Sequence, residues 1–393
     1  EPCQRNPGSG VRRKKAGYDN QTFQGRAIRA SGGKNPPEVR SPHLDVGWGS
    51  GIGVAPKRWE MTSTQEQRWV LAGDVGGTKT HLGLFTHRQT RPESQPIQTQ
   101  PRGEAPHLAP SVARRAPPDL ATLTGACIGI AGPVIKGKCK TTNLPWVVSE
   151  TRIRKRFHWE RVRLLNDLAA MALAIPLLQS RELFSLVKGK AMADGTKVLI
   201  APGTGLGMAL LACEKGRYIP NASEGGHADF SPTTAAQVRL GRFLQRRYDH
   251  VSIERVLSGP GLVNIYTWLR DEEGMAEPGG LGQLMARTDP AQAITQAAMT
   301  RQDPLCTAAL NMFVSVMGSV AGNMALTGLA MGGVYLGGGI PPKILFRLKQ
   351  GGFEAPYTDK GRFRTLMQRI PVRVVLNDRS ALLGAAYAAL ENT

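Results

Sequence analysis

From Arg68 onward, short apolar runs alternate with longer segments in which apolar residues recur at helical spacing. Most of the short runs are rich in β-branched residues and bounded by glycine, which is typical of buried strands. The alternation predicts an α/β fold. Residues 1–60 show neither period and are rich in Gly, Pro, Arg and Ser, so we predict a basic, disordered leader that extends to residue 67.

Glycine-rich turns join several of the predicted strands. WVLAGDV and HLGLF flank a Gly-Gly turn and predict a hairpin, followed by a polar, proline-rich surface excursion over residues 87–119. TKVLIAPGTGLGMALLAC predicts a second strand, turn, strand unit, and its likeness to the first indicates two similar halves. Further predicted strands are ATLTGACIGI, RVRLLN, GGVYL and VRVVL, and predicted helices are LAAMALAIPLL, residues 303–329 and SALLGAAYAAL.

The first turn nearly matches a phosphate-binding loop. Residues 73–80 fit G-x-x-x-x-G-K-[ST] except at Thr78, where the second glycine belongs. The residues that follow alternate as a strand does, whereas a P-loop opens a helix, so a hairpin turn is predicted. Gly76 and Gly77 permit positive φ, which lets N–H groups and the Thr78 hydroxyl approach phosphate, while Asp74 can hold Mg²⁺. An ordinary tight hairpin accounts for the same residues.

Two later glycine clusters leave similar alternatives open. Gly203, Thr204 and Gly205 lie between predicted strands and can hold the same phosphates from the opposite side, or form a turn alone. A dinucleotide fingerprint is not met because no helix follows. Gly338 and Gly339 precede a Pro-Pro pair and can lie against a flat ligand such as adenine, or simply lead into a helix.

Composition narrows the class of protein. The 393 residues correspond to two or three domains, and no apolar run approaches the roughly 18 residues of a membrane span. Five widely spaced cysteines without a CxxC pair argue against disulfides and zinc ribbons, and predict a cytoplasmic protein with reduced thiols. Residues 1–60 hold 11 Lys and Arg against 5 Asp and Glu, so the remaining chain carries +14 of the net +20. This spread fits a solvated surface or an anionic substrate better than specific nucleic-acid binding.

Asp167 follows the buried strand VRLL and precedes a helix, where α/β folds present polar side chains at the carboxyl edge of the sheet. A carboxylate there can accept the proton of an attacking sugar hydroxyl. Capping of the helix is the alternative role.

Nine segments together resemble the bacterial-type ATP-dependent glucokinases of the hexokinase, actin-like ATPase superfamily. In chain order they are LAGDVGGTKT, IAGPV, NLPW, LLNDLAAMALAIPLL, APGTGLG, EGGHADF, ERVLSGPGLVNIY, GGVYLGGGI and LLGAAYAAL. The resemblance implies a two-domain actin-like (ribonuclease H-like) fold with an interdomain cleft, ATP and Mg²⁺ in that cleft, and transfer of the γ-phosphate to the 6-hydroxyl of glucose with Asp167 as base.

The resemblance also implies the individual site residues. Glucose is bound by Asn143, Asn166, Asp167, Glu224, His227 and Glu254; phosphate by Asp74, Gly76, Gly77, Thr78, Gly203, Thr204 and Gly205; adenosine by Gly338 and Gly339. A metal ligand or a core histidine is the alternative for His227, although no cysteine cluster follows it. Lys79 stands where some members have Asn, so it is assigned no role.

We expect a small domain of residues 68–177 plus 378–393 that closes on a large domain of residues 178–377, and a homodimer without membrane or specific nucleic-acid partners. Two other functions stay open: a kinase for another hexose, and a non-catalytic sugar-sensing regulator on the same fold. Met61 is a candidate start, which would make the preceding residues upstream read-through; a transit peptide is less consistent with their pattern.

Overall fold

A computed structural model describes residues 69–76, 79–88, 91–94, 97–101, 123–140 and 147–391. The predicted leader lies outside these residues. The first sheet has the order β3-β2-β1-β5-β9, with β4 paired to β2. Its strands are β1 (Trp69–Val75), β2 (Lys79–Arg88), β3 (Arg91–Ser94), β4 (Gln98–Pro101), β5 (Leu123–Ile130) and β9 (Arg161–Asn166).

The first sheet combines an antiparallel and a parallel part. β1 and β2 form the predicted hairpin, whereas β1, β5 and β9 run parallel. Between β5 and β9 lies a small antiparallel sheet followed by a helix: β6 (Val134–Ile135), β7 (Lys138–Lys140), β8 (Val147–Ser149) and α1 (Glu150–Phe157). The hydrophobic residues of β1 and β5 are buried because the sheet is covered on both faces.

The prediction of a surface excursion over residues 87–119 was wrong in its first part. β2 extends to Arg88, and β3 and β4 both pair with it as strands of the first sheet. The pattern concealed them because each strand has only four residues, too few to establish a period. Residues 102–119 lie outside the described residues.

The second sheet has the order β10-β15-β14-β11-β12-β13. Its strands are β10 (Leu183–Val187), β11 (Lys197–Pro202), β12 (Leu206–Glu214), β13 (Arg217–Ser223), β14 (Gly333–Leu336) and β15 (Val372–Val375). β11 and β12 form the second predicted strand, turn, strand unit, and β11, β14 and β15 run parallel.

Helices cover both sheets, and two of them lie next to the site. α2 (Asp167–Ala174) follows β9, and α11 (Ser380–Leu390) packs on both α2 and the first sheet. A Cβ at Gly384 of α11 would overlap the carbonyl oxygen of Ala170, so glycine permits this close packing. The others are α3 (Ala235–Gln245), α4 (Gly259–Asp271), α5 (Leu281–Arg287), α6 (Pro290–Gln296), α7 (Pro304–Thr327), α8 (Leu345–Lys349), α9 (Glu354–Thr358) and α10 (Arg364–Arg369).

Helix α7 corrects the expectation that no apolar segment is long enough to span a membrane. It has 24 residues, and an 18-residue window within it has a mean hydropathy of 1.6, so by length and composition it is able to cross a membrane. However, 72% of its apolar window is buried inside the protein, where Phe313 and Met317 belong to the largest hydrophobic core. Core helices of soluble proteins share these properties, and α7 is therefore weak support for a membrane span.

A polar cluster joins the two sheets where the chain passes between them. Arg91 of β3 donates to both carboxylate oxygens of Glu182, at 2.6 and 2.9 Å, and to the carbonyl of Leu177 at 2.9 Å. Asn377, just after β15, donates to Glu182 at 2.6 Å. These hydrogen bonds lower the pKa of Glu182 to about 2, because they favour the charged carboxylate.

Candidate active site

Two carboxylates meet at the carboxyl edge of the first sheet. Asp74 lies near the end of β1, opposite Gly129 of β5, and Asp167 directly follows β9. A Cβ on Gly129 would lie 3.2 Å from the Cβ of Ala170 and 3.9 Å from the Cα of Asp167. The missing side chain thus lets α2 begin close to the sheet. The two acids are near enough for the charge on Asp167 to raise the pKa of Asp74.

Asn166 rather than Asp167 caps helix α2. The Asn166 Oδ1 accepts from the N–H groups of Leu168 at 3.0 Å and Ala169 at 3.3 Å, and its Nδ2 donates to the carbonyl of Gly132 at 3.2 Å. Asp167 is the first helical residue, and its Oδ1 accepts from the N–H of Leu168 at 2.9 Å. The Asp167 carboxylate also accepts from its own backbone N–H. Since the cap is supplied by its neighbour, the Asp167 carboxylate is left for another role.

Burial makes both acids weaker than usual. Removal from water raises the pKa of Asp74 from 3.8 to about 7, and the Asp167 charge adds to the effect. Burial also raises the pKa of Asp167, against the opposing effect of its hydrogen bond from the Leu168 N–H. A carboxylate whose pKa lies nearer neutral pH is a better proton acceptor. The arrangement also favours a bound cation, which would stabilise both ionised forms.

The second glycine turn joins β11 to β12 and is held from one side by the segment around Glu254. Within the turn, the Gly203 N–H donates to the Gly205 carbonyl at 2.8 Å. The Glu254 Oε2 accepts from the Leu206 N–H at 2.8 Å, and a Cβ on Gly205 would lie 2.7 Å from that oxygen. The Gly259 N–H donates to the Gly203 carbonyl at 2.8 Å. Two contacts from one segment therefore set the conformation of this turn.

Leu206 also connects the turn to EGGH. A Cβ on Gly226 would overlap the Leu206 carbonyl oxygen, so only glycine fits there. The Ile253 N–H donates to the Ala228 carbonyl at 2.8 Å, which fixes EGGH against the segment that carries Glu254. Three separate sequence motifs thus meet at one end of β12.

Glu224 and His227 lie in this motif, and both are open to solvent. The side chain of Glu224 is 87% exposed and that of His227 is 61% exposed. The His227 Nε2 lies 3.8 Å from the Glu224 Oε2. A core histidine, one alternative raised for His227, is therefore excluded. No group of three or more His, Cys, Asp or Glu suited to a metal ion occurs within the described part of the chain. Exposed polar groups of this kind are able to bind a polyol that enters from solvent.

The third glycine cluster lies beside the second. Gly338 has φ +77°, and a Cβ on it would lie 2.6 Å from the Pro202 carbonyl oxygen. The Gly337 N–H donates to the Ile200 carbonyl at 2.8 Å, whereas a Cβ on Gly203 or on Gly339 would meet open space. The two clusters thus leave a bare backbone surface at the ends of β11 and β14, against which a flat ligand can lie.

One side-chain contact joins the start of β12 to the helix that carries Asp167. A Cβ on Gly207 would lie 2.8 Å from the Cδ1 of Leu168. This contact and the opposition of Gly129 to Asp74 were not predicted from the sequence. For Gly129 a signal exists, because glycine near the end of a buried strand often marks a close backbone approach.

The structure therefore assembles the expected residues in two groups. Asp74, Asn166 and Asp167 lie at the first sheet, with Gly76 in the β1–β2 turn. The second group, at the second sheet, comprises Gly203, Thr204, Gly205, Glu224, His227, Glu254, Gly338 and Gly339. Asn143, Gly77 and Thr78 lie outside the described residues.

Comparison with known proteins identifies the family of the chain. The family model "Glucokinase" matches residues 71–392. The chain belongs to the glucokinase family. The glucokinase of Nostoc punctiforme is 37% identical over 339 residues, which cover 81% of this chain and 98% of that protein. The glucokinase of a Synechocystis strain is 37% identical over 348 residues, 82% of this chain and 98% of the relative.

Solved glucokinases share the fold, which confirms the expected α/β, actin-like ATPase architecture. The crystal structure of a glucokinase from an Antarctic psychrotroph has a TM-score of 0.73 and 30% identity, and the match covers 84% of this chain and 100% of that one. A ROK-family glucokinase from Streptomyces griseus, in complex with glucose and AMPPNP, has a TM-score of 0.54 and 19% identity, with coverage of 82% and 99%.

Proposed function

We propose that this glucokinase-family protein transfers the γ-phosphate of ATP to the 6-hydroxyl of glucose, with Asp167 as the general base. Family membership supports the activity and the hexose kinase class. Complexes of structural relatives with glucose, and with glucose and AMPPNP, support the two substrates. For the base, the main support is the Asp167 carboxylate, which is not the cap of its helix, lies beside Asp74 and has a raised pKa.

The proposed mechanism rests on positioning and charge. Asp167 accepts the hydroxyl proton as the sugar oxygen attacks the γ-phosphate, while Asn166 holds the start of α2 in place. Backbone N–H groups of the glycine turns, Gly76 and Gly77 with Thr78 on one side and Gly203, Thr204 and Gly205 on the other, receive the phosphate oxygens. Gly338 and Gly339 receive the adenosine. Asn143, Glu224, His227 and Glu254 hold the remaining sugar hydroxyls.

Mg²⁺ fits the residues present. Magnesium in phosphoryl-transfer sites is held by one or two carboxylates together with substrate phosphates, and Asp74 with its raised pKa supplies a carboxylate that a cation would stabilise. When bound, the ion neutralises developing charge on the transferred phosphate. Asp74 is the residue that we propose to hold it.

Closure of two domains would exclude water, which competes with the sugar hydroxyl for the γ-phosphate. We propose residues 68–177 with 378–393 as one domain and residues 178–377 as the other. The packing of α11 on the first sheet supports this division. The Arg91–Glu182 contact lies where the chain crosses the proposed boundary. A homodimer and a cytoplasmic location stay predictions, and sedimentation velocity tests the first.

Replacement of Asp167 tests the base directly. In Asp167→Asn the amide cannot take the proton, so we expect turnover to fall at least about a hundredfold while glucose affinity, measured by calorimetry, changes little. Asp249→Asn, which alters an exposed carboxylate, serves as the matched control. Turnover near that of the control would remove Asp167 from this role.

A panel of sugars tests the substrate. ADP release is followed in a coupled assay that ends in a dehydrogenase. We expect kcat/KM to be higher for glucose than for mannose, fructose or glucosamine. A preference for another hexose would redirect the assignment within the kinases. Salt-sensitive DNA binding without sugar-dependent ADP release would instead support the sugar-sensing regulator.

A further inference from the structure

A groove of about 340 Å³ lies at the amino end of β9, away from the carboxyl edge that carries Asp167. Its walls are formed by α1, the start of β9, β5 and the carboxyl end of α11. The lining residues are Ala126, Glu150, Arg154, residues 160–163, Ala388 and Ala389. β9 is the last strand of its sheet among the described strands, so the groove lies beside an edge strand.

The local geometry directs three guanidinium groups to this groove. Arg161 and Arg163 are two apart on β9, so they project from the same face of the strand. Arg154 is four residues after Glu150 on α1, so these two share a helix face. Helix and strand thus contribute arginines to one cavity from two directions.

Arginines outnumber acids in the lining of the groove, three to two. Glu150 is occupied, because its Oε1 accepts from the Leu164 N–H at 2.8 Å and its carboxylate lies against Gly137. Within the described ranges, no carboxylate forms an ion pair or hydrogen bond with Arg154, Arg161 or Arg163.

The surrounding segment repeats the excess of positive charge. Residues 136–163 contain nine Lys and Arg against two Glu, whereas the whole chain has 50 against 30. The lining holds three arginines against the two acids Glu150 and Glu160, so a net positive charge is left to attract an anion. The composition of the groove therefore favours an anionic ligand.

We propose that this groove binds a small organic phosphate. Guanidinium groups recognise phosphate oxygens through paired, parallel hydrogen bonds, and two or three of them commonly share one phosphate group. The volume lies at the small end of the range for ligand pockets, which suits a phosphate monoester on a short carbon skeleton.

The site is separate from the active site. Six residues of strand at about 3.3 Å each place Asp167 roughly 20 Å from Arg161. Both sites nevertheless touch the same elements, because β9 leads directly to Asp167 and α11 packs on α2.

Calorimetric titration with glycerol 3-phosphate tests the proposal, using the full chain saturated with glucose and AMPPNP so that the active site is filled. We expect one saturable site per chain. Arg154→Gln/Arg161→Gln should weaken binding at least tenfold. Arg152→Gln/Lys155→Gln is the matched control, since both residues are exposed on α1, do not line the groove and remove the same charge.

Two further experiments distinguish binding in the groove from nonspecific electrostatic attraction. Glu160→Gln removes one of the two acids from the lining, so glycerol 3-phosphate should bind several-fold more tightly. Vesicles containing phosphatidic acid distinguish a lipid headgroup from a free phosphate. The proposal is overturned if no saturable binding occurs, if both double variants weaken it equally, or if only vesicles bind.

Discussion

The Asp74 carboxylate offers a test of the site that does not depend on turnover. Its pKa is raised from 3.8 to about 7 by burial and by the charge on Asp167. In the unfolded chain the same group ionises near 3.8. Between about pH 4 and pH 7, Asp74 is therefore protonated in the folded protein but ionised in the unfolded chain. Stability conferred by that proton is lost as pH rises through this window. We therefore expect Asp74→Asn, which stays neutral, to be more stable than the wild type above pH 7.

The magnitude follows from the pKa change. Each pKa unit corresponds to 1.36 kcal/mol, so a rise from 3.8 to about 7 amounts to at most about 4 kcal/mol above pH 7. Because Asp74 is not fully enclosed, water that reaches the carboxylate reduces this figure, and we expect a gain of about 1 to 4 kcal/mol. At about 2 °C for each kcal/mol in domains of 150–250 residues, the melting temperature should rise by several degrees.

Thermal unfolding of the protein without nucleotide, followed by circular dichroism at pH 4.5 and pH 8, measures the effect. The difference between Asp74→Asn and wild type should be small at pH 4.5 and large at pH 8. In Asp167→Asn the neighbouring charge is absent, so the pH at which the Asp74 effect appears should move downward. An equal difference at both pH values would show that Asn changes packing rather than charge, and would refute the reasoning.

Two other substitutions test the contacts that hold the site together. Glu182→Gln should lower the free energy of unfolding by about 1 to 3 kcal/mol at pH 7, because Arg91 loses its charged partner. The pKa of Glu182 is lowered to about 2, so the difference in stability between the variant and wild type should disappear as the pH falls from 4.5 to 2. A pH-independent gap in urea unfolding would contradict this. Glu254→Ala frees the Leu206 N–H, so KM for ATP should rise along with KM for glucose; a change in KM for glucose alone would assign Glu254 to the sugar only.

The sequence predicted those parts of the site that depend on neighbouring residues. The β1–β2 hairpin and the turn between β11 and β12 follow from glycines between strand patterns, and the step from β9 to α2 follows from a buried run that ends in Asn-Asp. Contacts between distant residues could not be predicted in this way. Glu254 is 48 residues from Leu206, and no period or motif connects a carboxylate to an N–H at that distance.

The assignment of the helix cap shows a finer limit. Asn and Asp are nearly equal as N-caps, so propensity cannot separate residues 166 and 167. The structure separates them because Asn166 has extended φ and ψ, whereas Asp167 is already helical. The same argument strengthens the proposed chemistry, since a carboxylate used as a cap would have lost part of its ability to accept a proton.

The position of Glu254 suggests how the proposed sugar and nucleotide sites are coupled. A carboxylate oxygen accepts more than one hydrogen bond, so Glu254 can hold the Leu206 N–H with Oε2 and still offer Oε1 to a sugar hydroxyl. Its segment also holds Gly203 through the Gly259 N–H, and EGGH contacts the Leu206 carbonyl. If Glu254 and EGGH bind the sugar as proposed, a bound sugar acts on the backbone turn that we propose for the phosphates. Because coupling of this kind is reciprocal, a bound nucleotide should tighten glucose binding by the same factor as glucose tightens nucleotide binding.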